Sequence, residues 1–318
     1  MSDMWPEFAR ILDNARQAPP LEARDLDAMR TTMEDALIRW AGEIASVSKI
    51  EEFDVTTESG TLRLVLYTPH SLPDKSAPAI VLCHGGGFVL GGRRSHEPMA
   101  RSIADKARCV VVLVEYRLAP EHPYPAAVED VVAAFEWLSE NAGALNIDPS
   151  RIGLWGESAG GTIAAAATIR AVAAGFNPRA LLIAYAPLCA RLDTKSWESF
   201  GTGYWLTRAT MAWFWRQYLG PTPMCTEELA EPLHARSLAQ MPPTLIITAD
   251  LDPLQDEGTA FARALRDAGT RVDHRRCAGA IHGFLAMQTL SSKARELSAL
   301  YAQDFSKMLR DGEDAASA

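Results

Sequence analysis

Ile152-Gly153-Leu154-Trp155-Gly156-Glu157-Ser158-Ala159-Gly160-Gly161-Thr162-Ile163 is the stretch on which the reading of this chain turns. A short apolar run ends in Gly-x-Ser-x-Gly and passes at once into an Ala-rich segment, residues 163 to 174, that favours helix. Strand, sharp turn and helix in that order present a serine on an exposed, strained elbow. Gly156 and Gly160 lack side chains where strand and helix would crowd each other, and the new helix directs its first amides toward charge developing at Ser158. A serine serving only as a helix N-cap is the plainer reading, but it leaves the rest of the pattern without a reason.

Working outward, short β-branched runs alternate with longer amphipathic stretches, the pattern of a mainly parallel sheet covered by helices. Strands are expected near residues 51–57, 61–68, 78–83, 109–115, 151–156, 180–185, 244–249 and 271–277. Helices are expected at 95–107, 126–145, 158–174, 256–268 and 292–309. The turn Glu58-Ser59-Gly60 makes the first two strands an antiparallel hairpin. The fold class is therefore α/β, with eight strands.

Two regions break the alternation. Residues 1–50 read as helical, with Pro19-Pro20 as a break and Thr31-x-x-Glu34 as a capping box. Residues 188–237 hold Trp197, Phe200, Tyr204, Trp205, Trp213, Phe214, Trp215 and Tyr218. These aromatics can pack among themselves as a helical insertion, or line an apolar pocket as a cap. The catalytic body is then 51–187 with 238–318. The acidic end, Asp311 to Ala318, reads as frayed.

With 318 residues, 48% hydrophobic and 22% charged, the chain has enough apolar material for one large core. Its net charge of -9 argues against nucleic acid or an anionic membrane surface as partner. Met1-Ser2-Asp3-Met4-Trp5-Pro6-Glu7 has no basic n-region followed by an apolar stretch, so a cytoplasmic location is expected. No apolar run approaches the roughly 20 residues of a membrane helix. Cys83, Cys109, Cys189, Cys225 and Cys277 are odd in number and widely spaced, as reduced buried thiols would be.

A serine hydroxyl is a weak nucleophile near neutral pH and needs a base within hydrogen-bond reach. His282 lies in the loop Gly279-Ala280-Ile281-His282-Gly283 after the last strand, at the carboxyl end where α/β sites gather. His274 lies mid-strand among charges and reads as a surface side chain, while His70, His96, His122 and His234 have no acid or loop context and no metal-ligand spacing. The acid that orients the base should also leave a strand end, and the run Thr244 to Ala249 is followed by both Asp250 and Asp252. Spacing does not choose between them. Asp256 and Glu257 read as first-turn residues of the next helix. The glycine loop His84-Gly85-Gly86-Gly87 has neither the Lys-Ser/Thr of a phosphate loop nor a Gly-x-Gly-x-x-Gly fingerprint. Its amides, with that of Ala159, can instead face an oxyanion.

HGGGF at 84–88, YRLAPEHPYPAAVED at 116–130, GESAGG at 156–161, DPLQDEG at 252–258 and IHGF at 281–284 together resemble the hormone-sensitive lipase family of α/β-hydrolases, particularly its bacterial carboxylesterases. The resemblance spans roughly residues 50–310. It implies Ser158 as nucleophile, His282 as base, Asp252 as acid, and Gly86, Gly87 and Ala159 as the oxyanion hole, with Gly85 supporting the loop. It also implies a cap built from the N-terminal helices and the insertion, and a homodimer through the last strand and its neighbours. Glu157 stands where many members have Asp or Thr, and Gln255 where Arg is common.

The expected reaction is hydrolysis of short-to-medium-chain apolar carboxylic esters through an acyl-enzyme, with a small-molecule substrate and with no cofactor or metal. Phe88 and Trp205 are the expected pocket residues. The same machinery would also serve an amide, lactone, carbamate or thioester. A non-catalytic ligand-binding protein on this fold is the remaining alternative; plant hormone receptors that resemble the family typically lack the histidine.

Overall fold

β-branched runs without polar alternation bury both faces, so they form the middle layer of a three-layer arrangement. In the computed structural model, which describes residues 3–17, 20–21, 25–72, 76–220 and 228–311, that layer is an eight-stranded sheet. Its strands are β1 Lys49–Thr57, β2 Gly60–Thr68, β3 Ala77–Cys83, β4 Val110–Glu115, β5 Ile147–Glu157, β6 Leu181–Ala184, β7 Thr244–Leu251 and β8 Val272–Ile281. They lie in the order β1-β2-β4-β3-β5-β6-β7-β8. β2 runs against β1 and β4, and all other neighbours are parallel. The mixed sheet is thus mainly parallel, and the expected hairpin closes at Thr57 and Gly60.

Side chains alternate between faces with the period of two that a strand imposes. Ala79, Val81 and Cys83 of β3 join one core with Val112 and Val114 of β4, whereas Ile80, Leu82, Val111 and Leu113 join the other. Helices α1 Ala9–Gln17 and α2 Leu26–Ala41 precede the sheet. α3 Arg93–Ala107, α4 Ala126–Asn141 and α5 Ala159–Ala173 follow β3, β4 and β5, and the insertion after β6 carries α6 Lys195–Phe200 and α7 Arg208–Leu219. α8 Gln255–Asp267 and α9 Ser292–Arg310 complete the chain. Val131, Phe135 and Ile163 of α4 and α5 cover the first face, and Ile103 and Phe305 of α3 and α9 the second. Each such apolar side chain contributes about 1.5–3 kcal/mol when fully buried.

Several boundaries differ from expectation for local reasons. α2 starts at Leu26 because the Asp25 side chain accepts from the amides of Asp27 and Ala28. Thr31 is therefore mid-helix, donates to the Asp27 carbonyl, and caps nothing. α4 stops at Asn141, and β8 continues to Ile281, so His282 leaves the strand directly. His274 is half-buried, with Nε2 3.0 Å from the Thr248 hydroxyl, and burial lowers its pKa. It is a sheet residue, not a free surface side chain.

Asp256 and Glu257 do occupy the first turn of α8, but both reach the insertion. Asp256 accepts from the Ser196 amide. Glu257 accepts from the amides of Leu188 and Cys189 and from the Trp197 indole. Burial pushes the Glu257 carboxyl up to about 8, against the pull of those three N–H groups. Cys83, Cys109, Cys189 and Cys277 are free and buried. Pro19, Cys225 and the acidic tail beyond Asp311 lie outside the described residues. No helix among the described residues is long and apolar enough to cross a membrane.

Candidate active site

Parallel strands deliver their following loops to one edge of the sheet, and four of those loops meet here. Ser158 follows β5, Asp252 follows β7, His282 follows β8, and the glycine loop follows β3. Ser158 has φ 51° and ψ -128°, a left-handed conformation that a serine adopts only when its surroundings enforce it. The enforcement comes from both sides. The Ser158 amide donates to the Ala184 carbonyl at 2.9 Å, and its carbonyl accepts from Gly161 at 2.8 Å. A Cβ on Gly160 would stand 2.1 Å from the Cys83 carbonyl oxygen, so α5 can approach β3 only with glycine there.

The strained turn aims the Ser158 hydroxyl at His282. Oγ lies 2.9 Å from Nε2, and Nδ1 lies 2.9 Å from the Asp252 Oδ2. Asp252 is fully buried, and its other oxygen accepts from the Leu254 amide at 3.0 Å, which fixes the carboxylate. Asp250 is turned elsewhere and pairs with Arg276. Burial opposes a charge on His282, but the Asp252 carboxylate and its hydrogen bond, with Glu157 behind, outweigh that and raise its pKa above the ordinary value. A hydroxyl, an imidazole and a carboxylate so joined can take the proton from Ser158 as its oxygen attacks.

The glycine loop forms the facing wall. Gly86 and Gly87 line the same cavity as Ser158, and neither of their amides, nor that of Ala159, makes a backbone hydrogen bond among the described residues. Unpaired amides at the head of a helix and in a glycine loop are suited to hold a developing negative charge. Tyr116 anchors the loop from below, donating to the His84 carbonyl at 2.5 Å and stacking on the His84 ring at 4.2 Å. Burial drives His84 down to about 3, so that ring is neutral structure.

Above Ser158 opens a cavity of about 910 Å³. Its apolar wall includes Met29, Met33 and Trp40 of α2, Trp205 and Leu206 of the insertion, and Phe214 of α7. Trp205 and Trp40 meet edge to face at 5.2 Å, which joins the two irregular regions over the site. Phe214 packs so closely on the glycine loop that a Cβ on Gly87 would stand 2.4 Å from its ring. Phe88 is not among the lining residues. It is buried in a stack on Tyr218 at 3.9 Å, where it helps hold α7 down. The resemblance implied a cap from the N-terminal helices, but not which α2 side chains reach the cavity, since helical periodicity marks an apolar face without saying what it covers.

Among the described residues, Cys189, Glu231 and His234 bring three donor atoms within 4.8 Å of one another. None of them lines the cavity. Burial pushes the Cys189 thiol up to about 11, and Glu231 accepts from the Ala190 amide, so the group ties the two ends of the insertion together.

A profile of the alpha/beta hydrolase fold matches residues 80–286. The chain belongs to the α/β-hydrolase family, in its hormone-sensitive lipase branch. An ethyl acetate hydrolase of Pseudomonas putida is 33% identical over 299 residues, covering 91% of this chain and 93% of that protein. The carboxylesterase NlhH of Mycobacterium tuberculosis is 35% identical over 259 residues, covering 80% and 81%. Among solved structures, a hyperthermophilic esterase from the archaeon Pyrobaculum calidifontis superposes with a TM-score of 0.90 at 34% identity, covering 96% of this chain and 99% of that one. A thermostable esterase from Pseudomonas putida ECU1011 superposes at 0.91 with 29% identity, covering 96% and 98%. In this α/β-hydrolase, the overall fold is that of the family.

Proposed function

We propose that this chain is a serine carboxylesterase acting on apolar esters of short to medium chain length. The observation that carries the reading is the hydrogen-bonded line from Ser158 through His282 to Asp252, set at the floor of an apolar cavity. Similarity to an ethyl acetate hydrolase and to a carboxylesterase supports an ester as the bond cleaved.

Ser158 Oγ attacks the ester carbonyl carbon while His282 Nε2 takes its proton. Asp252 holds the imidazole in the required tautomer and steadies the imidazolium without itself accepting a proton. The tetrahedral oxyanion lies against the amides of Gly86, Gly87 and Ala159, each worth about 3 kcal/mol of transition-state stabilisation. Collapse breaks the bond to the alkoxy group, which leaves as alcohol with the proton from His282. Water, deprotonated by His282, then attacks the acyl-enzyme, and the acid departs with Ser158 restored.

Residues 1–50 and 188–237 serve as the cap, over a catalytic body of 51–187 and 238–318. Trp205, with Phe214, selects the acyl or alcohol group. Four reduced thiols fit work in the cytoplasm, and the β8 edge serves as a homodimer contact.

Hydrolysis of p-nitrophenyl butyrate by wild type and Ser158→Ala tests the reaction. The variant is expected to lose at least about 10³-fold in kcat. Equal rates would sink the assignment.

A further inference from the structure

Behind His282 lies a second acid–histidine pair, which the mechanism above does not use. Glu157 ends β5, one residue before Ser158, with only 5% of its surface exposed. Its Oε1 is 3.3 Å from Nε2 of His96, which is 2% exposed. Nδ1 of His96 meets the Ser95 hydroxyl at 2.8 Å, and because a carboxylate only accepts, it is Nε2–H that donates to Glu157. On its other side Glu157 lies against the glycine loop. A Cβ on Gly85 would stand 2.0 Å from Oε1 and 3.0 Å from Oε2, so the carboxylate occupies the space a side chain would need. Gly85, His96 and Glu157 all border the cavity.

A buried carboxylate so close to a reacting imidazole must affect it unless it is neutral. The groups that act on it come from several elements: His96 from α3, Tyr116 after β4, Tyr185 after β6 and His282 after β8, with His84 lying against His96. Burial alone would keep Glu157 protonated. The hydrogen bond and charge of His96, the charge of His282 and the Gly85 amide together reverse that and bring its pKa below the ordinary value. The two tyrosines are raised by burial and stay neutral. Two carboxylates therefore bear on His282, one by direct contact and one at longer range.

We infer that Glu157 is a positioning residue for acyl transfer: anchored by His96, its carboxylate braces the glycine loop at Gly85 and keeps a second negative charge on the cavity that His282 borders. The inference rests on Ser158 and His282 acting as nucleophile and base. It gives the elbow position before the serine a role in catalysis, and it explains why a longer acid here is paired with a buried histidine.

The test is the pH dependence of kcat/KM for p-nitrophenyl butyrate in wild type, Glu157→Gln and Glu157→Asp. Removing the negative charge lowers the His282 pKa, so the acid limb of Glu157→Gln is expected to move to lower pH by about half a unit, with kcat down about tenfold and KM within about twofold. Glu157→Asp keeps the charge but is too short to touch both His96 and Gly85. Its limb is expected to stay in place while kcat falls several-fold. A Glu157→Gln profile that superimposes on wild type, or a loss of kcat with an unmoved acid limb, overturns the electrostatic role. Full kcat in Glu157→Asp overturns the brace, and that arm decides the matter if Glu157→Gln does not fold. None of these outcomes resembles failure of the esterase reading itself, which would show as an inactive wild type or an active Ser158→Ala.

Discussion

At the scale of single residues, the informative contrast is Asp250 against Asp252. They are two apart and both come after the apolar run Thr244 to Ala249, so spacing treats them as equals. The register between β7 and β8 shifts between Ala249 and Leu251, and that irregularity breaks the simple alternation of faces. Asp250 consequently meets Arg276, and Asp252 meets His282. Asp252→Asn should lower kcat by about 10³–10⁴-fold, because the amide no longer enforces the reactive imidazole tautomer. Asp250→Asn should stay within about tenfold of wild type. Steady-state kinetics on one ester checks both, and a larger loss at position 250 would reverse the assignment. Ser158 and His282 were legible because each sits beside local signals, a glycine-bounded elbow and a strand end. Spacing left the acid open and only the resemblance pointed to Asp252, since a bulge depends on the neighbouring strand.

Elements show the same division between local and distant causes. The strand runs and the helices between them could be read closely because hydrophobic period is a local property. What α2 rests on could not. Arg30 donates to the carbonyls of Val89 and Ala119, at 3.0 and 3.2 Å, and forms a two-pronged pair with Glu121 at 2.8 and 2.7 Å. The guanidinium bond holds the Glu121 carboxyl down to about 2. Since a lowered carboxyl pKa favours the folded state above its ordinary range, this support persists at neutral pH and is lost only as pH falls toward 2. Arg30 thus fastens the helix that carries Met29 and Met33 to the segment just beyond the glycine loop. Arg30→Ala removes bonds worth about 1–3 kcal/mol in all, localised at α2. Amide exchange over residues 26–41 should quicken at least about fivefold, and KM for butyrate esters should rise. Unchanged exchange there would show that α2 is held by its apolar face alone.

For the molecule as a whole, the open question posed by the topology is its two sheet edges, because an unpaired strand invites another. β1 and β8 are the outermost strands. β8 bears Asp273, Arg275 and Arg276, and Arg275 is held by Asp273 and by Asp304 of α9. That charge discourages random pairing, and α9, whose Asp304 holds Arg275, exposes Leu300 at 43%. The proposed homodimer contact at β8 would be a symmetric one, the same face of each copy meeting across a two-fold axis. Light scattering on the eluting peak at micromolar concentration should therefore give twice 34.7 kDa. Leu300→Asp, which places like charges across the two-fold axis, should return the mass to 34.7 kDa. Ser158, Asp252, His282 and the cavity wall all come from one chain, so the dissociated variant should keep kcat within about twofold. A wild type that elutes as monomer at every concentration removes β8 as an interface. A dimer that survives Leu300→Asp moves the contact to another face, and a monomer that loses activity would mean the partner steadies the β8 end from which His282 emerges.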